Sequence, residues 1–196
     1  MRLVTYEDGK VGRIEGEEIV RLDVPGMREY FERGGADDAG ERTPLAQARL
    51  RAPIVPKKFF HTAGNFREHE EESKQVGWSH EIAPWIVTPD EIPDPHDLAM
   101  TLRVNGETRQ TSHSGRMSTT IPEILSHYSP LGYSAGDVLS TGTVSGVAGF
   151  SEDAASLYLK PGDVIEAEIE RIGVLRNPVV SWQEAHGSPP PPRVRW

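Results

Sequence analysis

Apolar positions in the first 22 residues fall in three short runs, 3–6, 11–14 and 18–22. Glu7-Asp8-Gly9-Lys10 and Glu15-Gly16 separate them. β-type runs of this length split by turn formers predict a meander of tight turns. Residues 27–33 have helical spacing and end at Gly34-Gly35, a helix stop, and the polar stretch 36–43 then reads as a surface loop or linker. Residues 50–54 and 58–62 read as strands, the second ending at Gly64. Asn65 suits the N-cap of a helix through about Lys74, with Glu68 placed to reach back as a capping-box acid.

Between Trp78 and Asp97, Pro84, Pro89, Pro93 and Pro95 forbid a helix interior or a central strand, so an extended surface loop is expected. Residues 98–104 and 107–112 flank Asn105-Gly106, the pair that favours a type I′ hairpin turn. Thr120, followed by Pro122 and Glu123, opens a short helix through His127 that is expected to present Ile124 and Leu125 to a core. Strands are predicted at 138–141, 164–169 and 174–180, the last two separated by Arg171-Ile172-Gly173. Residues 187–196, with the run Pro189-Pro190-Pro191-Pro192, read as a polyproline-like tail. The expected fold class is mixed α+β, mainly β, with short helices. Its expected units are a small N-terminal β unit over 1–50, a main domain over 51–187 and a tail over 188–196.

Composition narrows the function. A net charge of -9 and a pI near 5.3 oppose nucleic acid or an anionic membrane as partner, since both demand clustered Lys and Arg. No run of eighteen apolar residues occurs, and the charged N-terminus shows no secretion signal. The absence of cysteine removes disulfides, thiolate metal sites and cysteine nucleophiles, and fits a reducing compartment, so the cytoplasm is the expected location.

Several patterns invite chemistry. Gly132-Tyr133-Ser134-Ala135-Gly136 matches G-x-S-x-G, and Asp153 and His186 follow in hydrolase order. A nucleophile elbow joins a strand to a helix, however, and this one leads into a predicted strand. Thr141-Gly142-Thr143-Val144-Ser145-Gly146 offers small residues whose amides and hydroxyls can approach a carboxylate, or simply a tight glycine-rich turn. His69 and Glu72, three apart on the predicted helix, share a face. A carboxylate beside an imidazole fixes its tautomer for general-base work, although a solvated acidic face has the same spacing. Glu166, Glu168 and Glu170 alternate with Ile165, Ala167 and Ile169, a pattern shared by hard-cation sites and half-buried strands with a wet face. His80, His96, His113 and His127 lack ligand spacing and read as surface or packing residues.

Taken together, Pro84-Trp85-Ile86-Val87-Thr88-Pro89-Asp90-Glu91-Ile92-Pro93-Asp94-Pro95, Leu102-Arg103-Val104-Asn105-Gly106-Glu107 with Arg109-Gln110, and Gly136-Asp137-Val138-Leu139-Ser140-Thr141-Gly142-Thr143 resemble the fumarylacetoacetate hydrolase family. Leu159-Lys160-Pro161-Gly162-Asp163-Val164, Ile172-Gly173-Val174-Leu175-Arg176-Asn177-Pro178-Val179 and, upstream, Asn65-Phe66-Arg67-Glu68-His69 extend the likeness over about 51–180. The resemblance implies a β-roll or sandwich scaffold and a homodimer. It also implies Mg2+- or Mn2+-dependent carbon–carbon hydrolysis or isomerisation of small keto or enol acids in catabolism, of the 2-hydroxyhepta-2,4-dienedioate isomerase or acylpyruvase type. It makes His69 and Glu72 the catalytic pair and Gly142 and Thr143 the substrate contacts.

The family's long middle stretch, with its metal-binding Glu and Asp residues, has no counterpart between the His69 segment and Trp85. No metal ligands are therefore assigned, no tightly bound cation is expected, and catalysis is expected to be impaired; the alternative is a non-catalytic remnant that pairs with a full-length relative. We expect an internal deletion whose ends meet at residues 84–87. The source DNA beside close relatives tests this: relatives should hold the missing stretch intact at that junction, and an intact neighbouring gene of the same short form would contradict an accidental loss.

Overall fold

The computed structural model describes residues 1–61 and 85–187. Strands β1 (Arg2–Tyr6), β2 (Lys10–Glu15) and β3 (Glu18–Leu22) form the expected meander. Leu3 and Val4 are adjacent, point to opposite faces and are both fully buried. The sheet is therefore covered on both sides. One face packs Leu3, Val11 and Leu22 with Met27 and Ile54, and the other packs Val4 and Tyr6 with Ile19. Helix α1 (Met27–Arg33) supplies Met27 and ends where predicted, with Gly34 in the left-handed region at φ 74°.

The stretch expected as a loop after α1 contains a strand, β4 (Asp38–Pro44), paired with β3. Charge holds this edge where apolar alternation is lacking. Arg13 pairs with Asp38, Lys10 and Arg21 each reach Glu41 at 2.8 Å, and Arg42 reaches Glu18 at 3.1 Å. The other edge of β1 is shared by β5 (Leu50–Arg51) and β7 (Trp85–Val87). The predicted strand at 50–54 thus stops after Arg51, just before Pro53, which has no N–H to donate. Within the proline-rich stretch expected as loop, residues 85–87 are free of proline and pair with β1.

A second sheet has the order β12-β11-β8-β9, from β8 (Ala99–Val104), β9 (Glu107–His113), β11 (Val164–Ile169) and β12 (Gly173–Pro178). The β8–β9 hairpin turns at Asn105 (φ 54°) and Gly106 (φ 80°), both left-handed as a type I′ turn requires. Its register slips once, between Leu102 and Arg103. Short parallel strands β6 (Phe59–His61) and β10 (Val138–Ser140) make a third sheet. Helix α2 (Ile121–Tyr128) carries the predicted capping box, in which Glu123 accepts from the Thr120 amide at 2.8 Å. Ile124 is buried but Leu125 is 40% exposed, contrary to expectation; neighbours on a helix lie about 100° apart and cannot both face one narrow core. Two short helices not anticipated are α3 (Ala154–Leu157) and α4 (Trp182–His186). The chain is mainly β with few short helices, as expected. The helix expected over 65–74 and the tail over 188–196 lie outside the described residues.

Trp85 links the two larger sheets. Its indole N–H donates to the Ile172 carbonyl at 2.7 Å, and its ring lies against Gly173, where an added Cβ would sit 2.6 Å from Cζ2. Gly173 also has φ +126°, so Gly173→Ala meets both a clash and an unfavourable backbone. We predict that it destabilises by about 2 kcal/mol or more in urea unfolding; a change below about 0.5 kcal/mol contradicts the close approach.

Acid should loosen the charged edge. The Arg13 guanidinium holds Asp38 and Glu15 below the usual carboxylate range, and the Lys10 ammonium does the same for Glu41. Depressed carboxyls contribute stability that is present above their unfolded pKa, about 4, and lost as pH falls through the lower folded values. Tm should therefore fall below about pH 4, and fall less in Arg13→Met; equal acid sensitivity in both proteins contradicts this.

Candidate functional site

The glycine-rich segment that follows β10 crosses the apolar face of the second sheet. On that face Met100, Leu102 and Val104 of β8 stand directly opposite Ile169, Ala167 and Ile165 of β11. Gln110 of β9 fixes the segment's height above the face: its Nε2 donates to the Val144 carbonyl at 3.1 Å and the Ser145 carbonyl at 2.9 Å. At Gly146, φ is +90° and an added Cβ would lie 2.8 Å from the Arg109 carbonyl, so only glycine fits the close approach to β9.

Two cavities of about 230 Å3 each open between the segment and the sheet. The inner one is lined by Gly142, Thr143, Met100, Ala167 and Glu168 among others. The outer one is lined by Val104, Arg109, Leu157, Leu159 and Ile165 among others. Leu102, Gln110 and Thr143 line both, so Thr143 stands at the junction. The predicted substrate contacts Gly142 and Thr143 are therefore placed together at a cavity. The predicted pair His69 and Glu72 lies outside the described residues, as does His80.

The glutamates of β11 are already compensated. Glu168 lies 2.7 Å from Arg103, and Glu166 lies 3.4 Å from Arg176. Glu170, just past the strand, accepts from the Ala99 amide at 3.2 Å. A wet strand face ordered by arginines, the commoner of the two readings of this alternation, is what these contacts describe. Among the described residues no three His, Asp or Glu side chains come together to hold a cation. Among the described residues Glu168 is the one acidic residue that borders the Thr143 cavity, and its carboxylate pairs with Arg103 on the opposite face of the sheet, so the described donors do not fit a dication, which asks for several free anionic oxygens.

The remaining candidates serve the fold. Ser134 sits in a turn whose amide donates to Asp137 at 2.7 Å and which leads into β10, so the G-x-S-x-G match has no elbow geometry. His96 accepts from the Ile121 amide at 3.1 Å and faces Asp94 at 3.4 Å. His113 accepts from the Gly115 amide at 3.2 Å and faces Asp97 at 3.2 Å, while His127 packs edge-on against Tyr128. Sequence reasoning assigned no role to Gln110 or Arg109. The hairpin turn puts Arg109 on the face of Glu107, but the slip at Leu102/Arg103 that brings Gln110 to the same face has no local signature in residue type.

Residues 58–180 match the fumarylacetoacetate (FAA) hydrolase C-terminal family, and the chain belongs to that family. It is 41% identical over 103 residues to the 2,4-didehydro-3-deoxy-L-rhamnonate hydrolase of Sphingomonas sp. (strain SKA58), a match covering 52% of this chain and 36% of that one. It is 38% identical over 100 residues to the human mitochondrial oxaloacetate tautomerase FAHD2B, covering 50% and 31%. The matched part thus spans about a third of the length of these curated relatives. The fold is that of maleylpyruvate hydrolase from Sphingobium sp. SYK-6, with a TM-score of 0.73 at 21% identity over 92% of this chain and 99% of that one. A second structure of that enzyme, with a TM-score of 0.72 at 20% identity over 92% and 99%, holds manganese(II) and pyruvate. No helix among the described residues is long and apolar enough to cross a membrane.

If Gln110 sets the position of the segment, Gln110→Ala should raise backbone amide exchange across residues 143–147 by about tenfold, the equivalent of losing one to two ordinary hydrogen bonds. Exchange unchanged from the parent chain contradicts that role.

Proposed function

We propose that this chain binds a small keto or enol acid against Gly142 and Thr143, and that its turnover of such acids is severely impaired or absent. The observation that carries the first half is the placing of Thr143 at the junction of two cavities above an apolar sheet face. Hydrolases and an oxaloacetate tautomerase among the relatives support an acid of this class as ligand. The second half rests on charge. Cleaving a carbon–carbon bond or shifting a proton beside a carbonyl leaves an enolate, and a Lewis acid on the oxygen lowers that barrier by several kcal/mol. Losing about 4 kcal/mol of it costs roughly a thousandfold in rate. Among the described residues no three His, Asp or Glu side chains come together to hold such an ion.

A second reading, a non-catalytic partner of a full-length relative or a homodimer in the cytoplasm, is favoured by one surface. Tyr133 is 42% exposed and Leu125 40%, and the Tyr133 hydroxyl donates to the Leu125 carbonyl, so exposed apolar surface gathers at α2, with the 66% exposed Leu131 two residues before Tyr133 in the chain. Co-purification with a full-length relative distinguishes it.

Calorimetric titration with Mn2+ or Mg2+, followed by an acylpyruvate turnover assay, tests the main reading. We expect no tight stoichiometric binding of either ion and turnover at least about a thousandfold below a full-length relative. Tight binding of one ion per chain with turnover comparable to a relative overturns it.

A further inference from the structure

We propose that the outer cavity is an anion subsite in which Arg109 receives a carboxylate carried on a short apolar chain. It rests on the reading above only in that both cavities meet at Thr143; it requires no turnover. The strand register puts Arg109 there. Val104 pairs with Glu107 and Arg103 with Thr108, after which the register slips and Leu102 pairs with Gln110. Arg109 has no cross-strand partner. Directly paired residues share a face, so Glu107 and Gln110 lie on the apolar face with Val104 and Leu102. Arg109, two residues from Glu107, lies on that face by ordinary alternation, and the bulge at Arg109 keeps Gln110 there as well.

The guanidinium is under-supplied with acceptors. It has five N–H donors. Among the described residues its one ion-pair partner is Glu107, 3.3 Å from Nη2, whose side chain is 71% exposed. Its Nε is shut off from solvent and has no hydrogen-bond acceptor among the described residues. Asp163 feels the Arg109 charge, but its oxygens are taken by the Asn105 amide at 2.9 Å and the Lys160 N–H at 2.8 Å. The other walls are Leu102, Val104, Leu157, Leu159, Ile165 and the small residues of the crossing segment. A cation set into an apolar wall selects a ligand with one anionic end and an apolar body, because a neutral ligand leaves the guanidinium short of acceptors while a bare anion leaves the wall empty. At about 230 Å3 the cavity is below the roughly 300–1,000 Å3 of sites for drug-sized molecules, so the occupant is small.

The test is a set of NMR titrations of the full chain with hexanoate, hexan-1-ol and pyruvate. Hexanoate should bind at least about tenfold tighter than hexan-1-ol and shift amides at 104, 109, 147 and 157. Arg109→Gln should abolish that preference and Arg109→Lys should restore part of it. Raising salt on the parent chain should narrow the hexanoate preference, a readout that needs no folded variant. Equal binding of hexanoate and hexan-1-ol, or hexanoate shifts confined to residues away from the outer cavity, overturns the proposal. Pyruvate separates the two claims: its failure to bind counts against the Thr143 reading alone, while the hexanoate preference judges Arg109.

Discussion

One side-chain amide sets the geometry on which the candidate site depends. Gln110 gives both hydrogens of its Nε2 to successive carbonyls of the segment above it, at 3.1 and 2.9 Å, and so converts a glycine-rich stretch into a fixed roof. A buried carbonyl left without a donor costs about 1–3 kcal/mol, and Gln110 supplies one to each of the two. Gly146 completes the fit, since its missing Cβ lets the roof meet the β9 backbone at Arg109. With the roof pinned at these points, space remains on either side of Thr143, and those spaces are the cavities.

The sheet beneath is built differently from the N-terminal one. Leu3, Val4, Tyr6, Val11 and Ile19 are wholly buried, because both faces of their sheet are covered. Every residue of β11 is only half-buried. Met100, Leu102 and Val104 on β8 are likewise half-buried, although they face Ile169, Ala167 and Ile165 across the ladder. Apolar surface that is neither solvated nor packed is what a binding face looks like. On the opposite face, Arg103 and Arg176 pair with Glu168 and Glu166, so these carboxylates point away from Thr143.

Much of this was legible in residue order, and the losses have physical causes. The meander, the Asn105-Gly106 hairpin and the Thr120/Glu123 capping box were readable because each is specified by backbone conformation or by a local hydrogen bond. Strand β4 was not, because Asp38, Glu41 and Arg42 bind it to its neighbours through charges whose partners lie about twenty or more residues away. Helix α4 was overlooked although Ser181 and Glu184 carry the same capping box as α2. Gly142 and Thr143 were singled out through family resemblance, and in the structure both line one cavity. Arg109 and Gln110 carried part of the resemblance but no role, because a one-residue register slip decides that Gln110 faces the same way as Arg109.

On the reading proposed above, this chain keeps a place for a small acid but not a ready-made cage for the ion that would activate it. Crystals grown with pyruvate and excess Mn2+, with anomalous scattering recorded at the manganese edge, address both halves at once. The prediction is pyruvate density against Thr143 with no ordered manganese held by three or more carboxylates. An octahedral manganese peak ringed by such carboxylates beside Thr143 would contradict it.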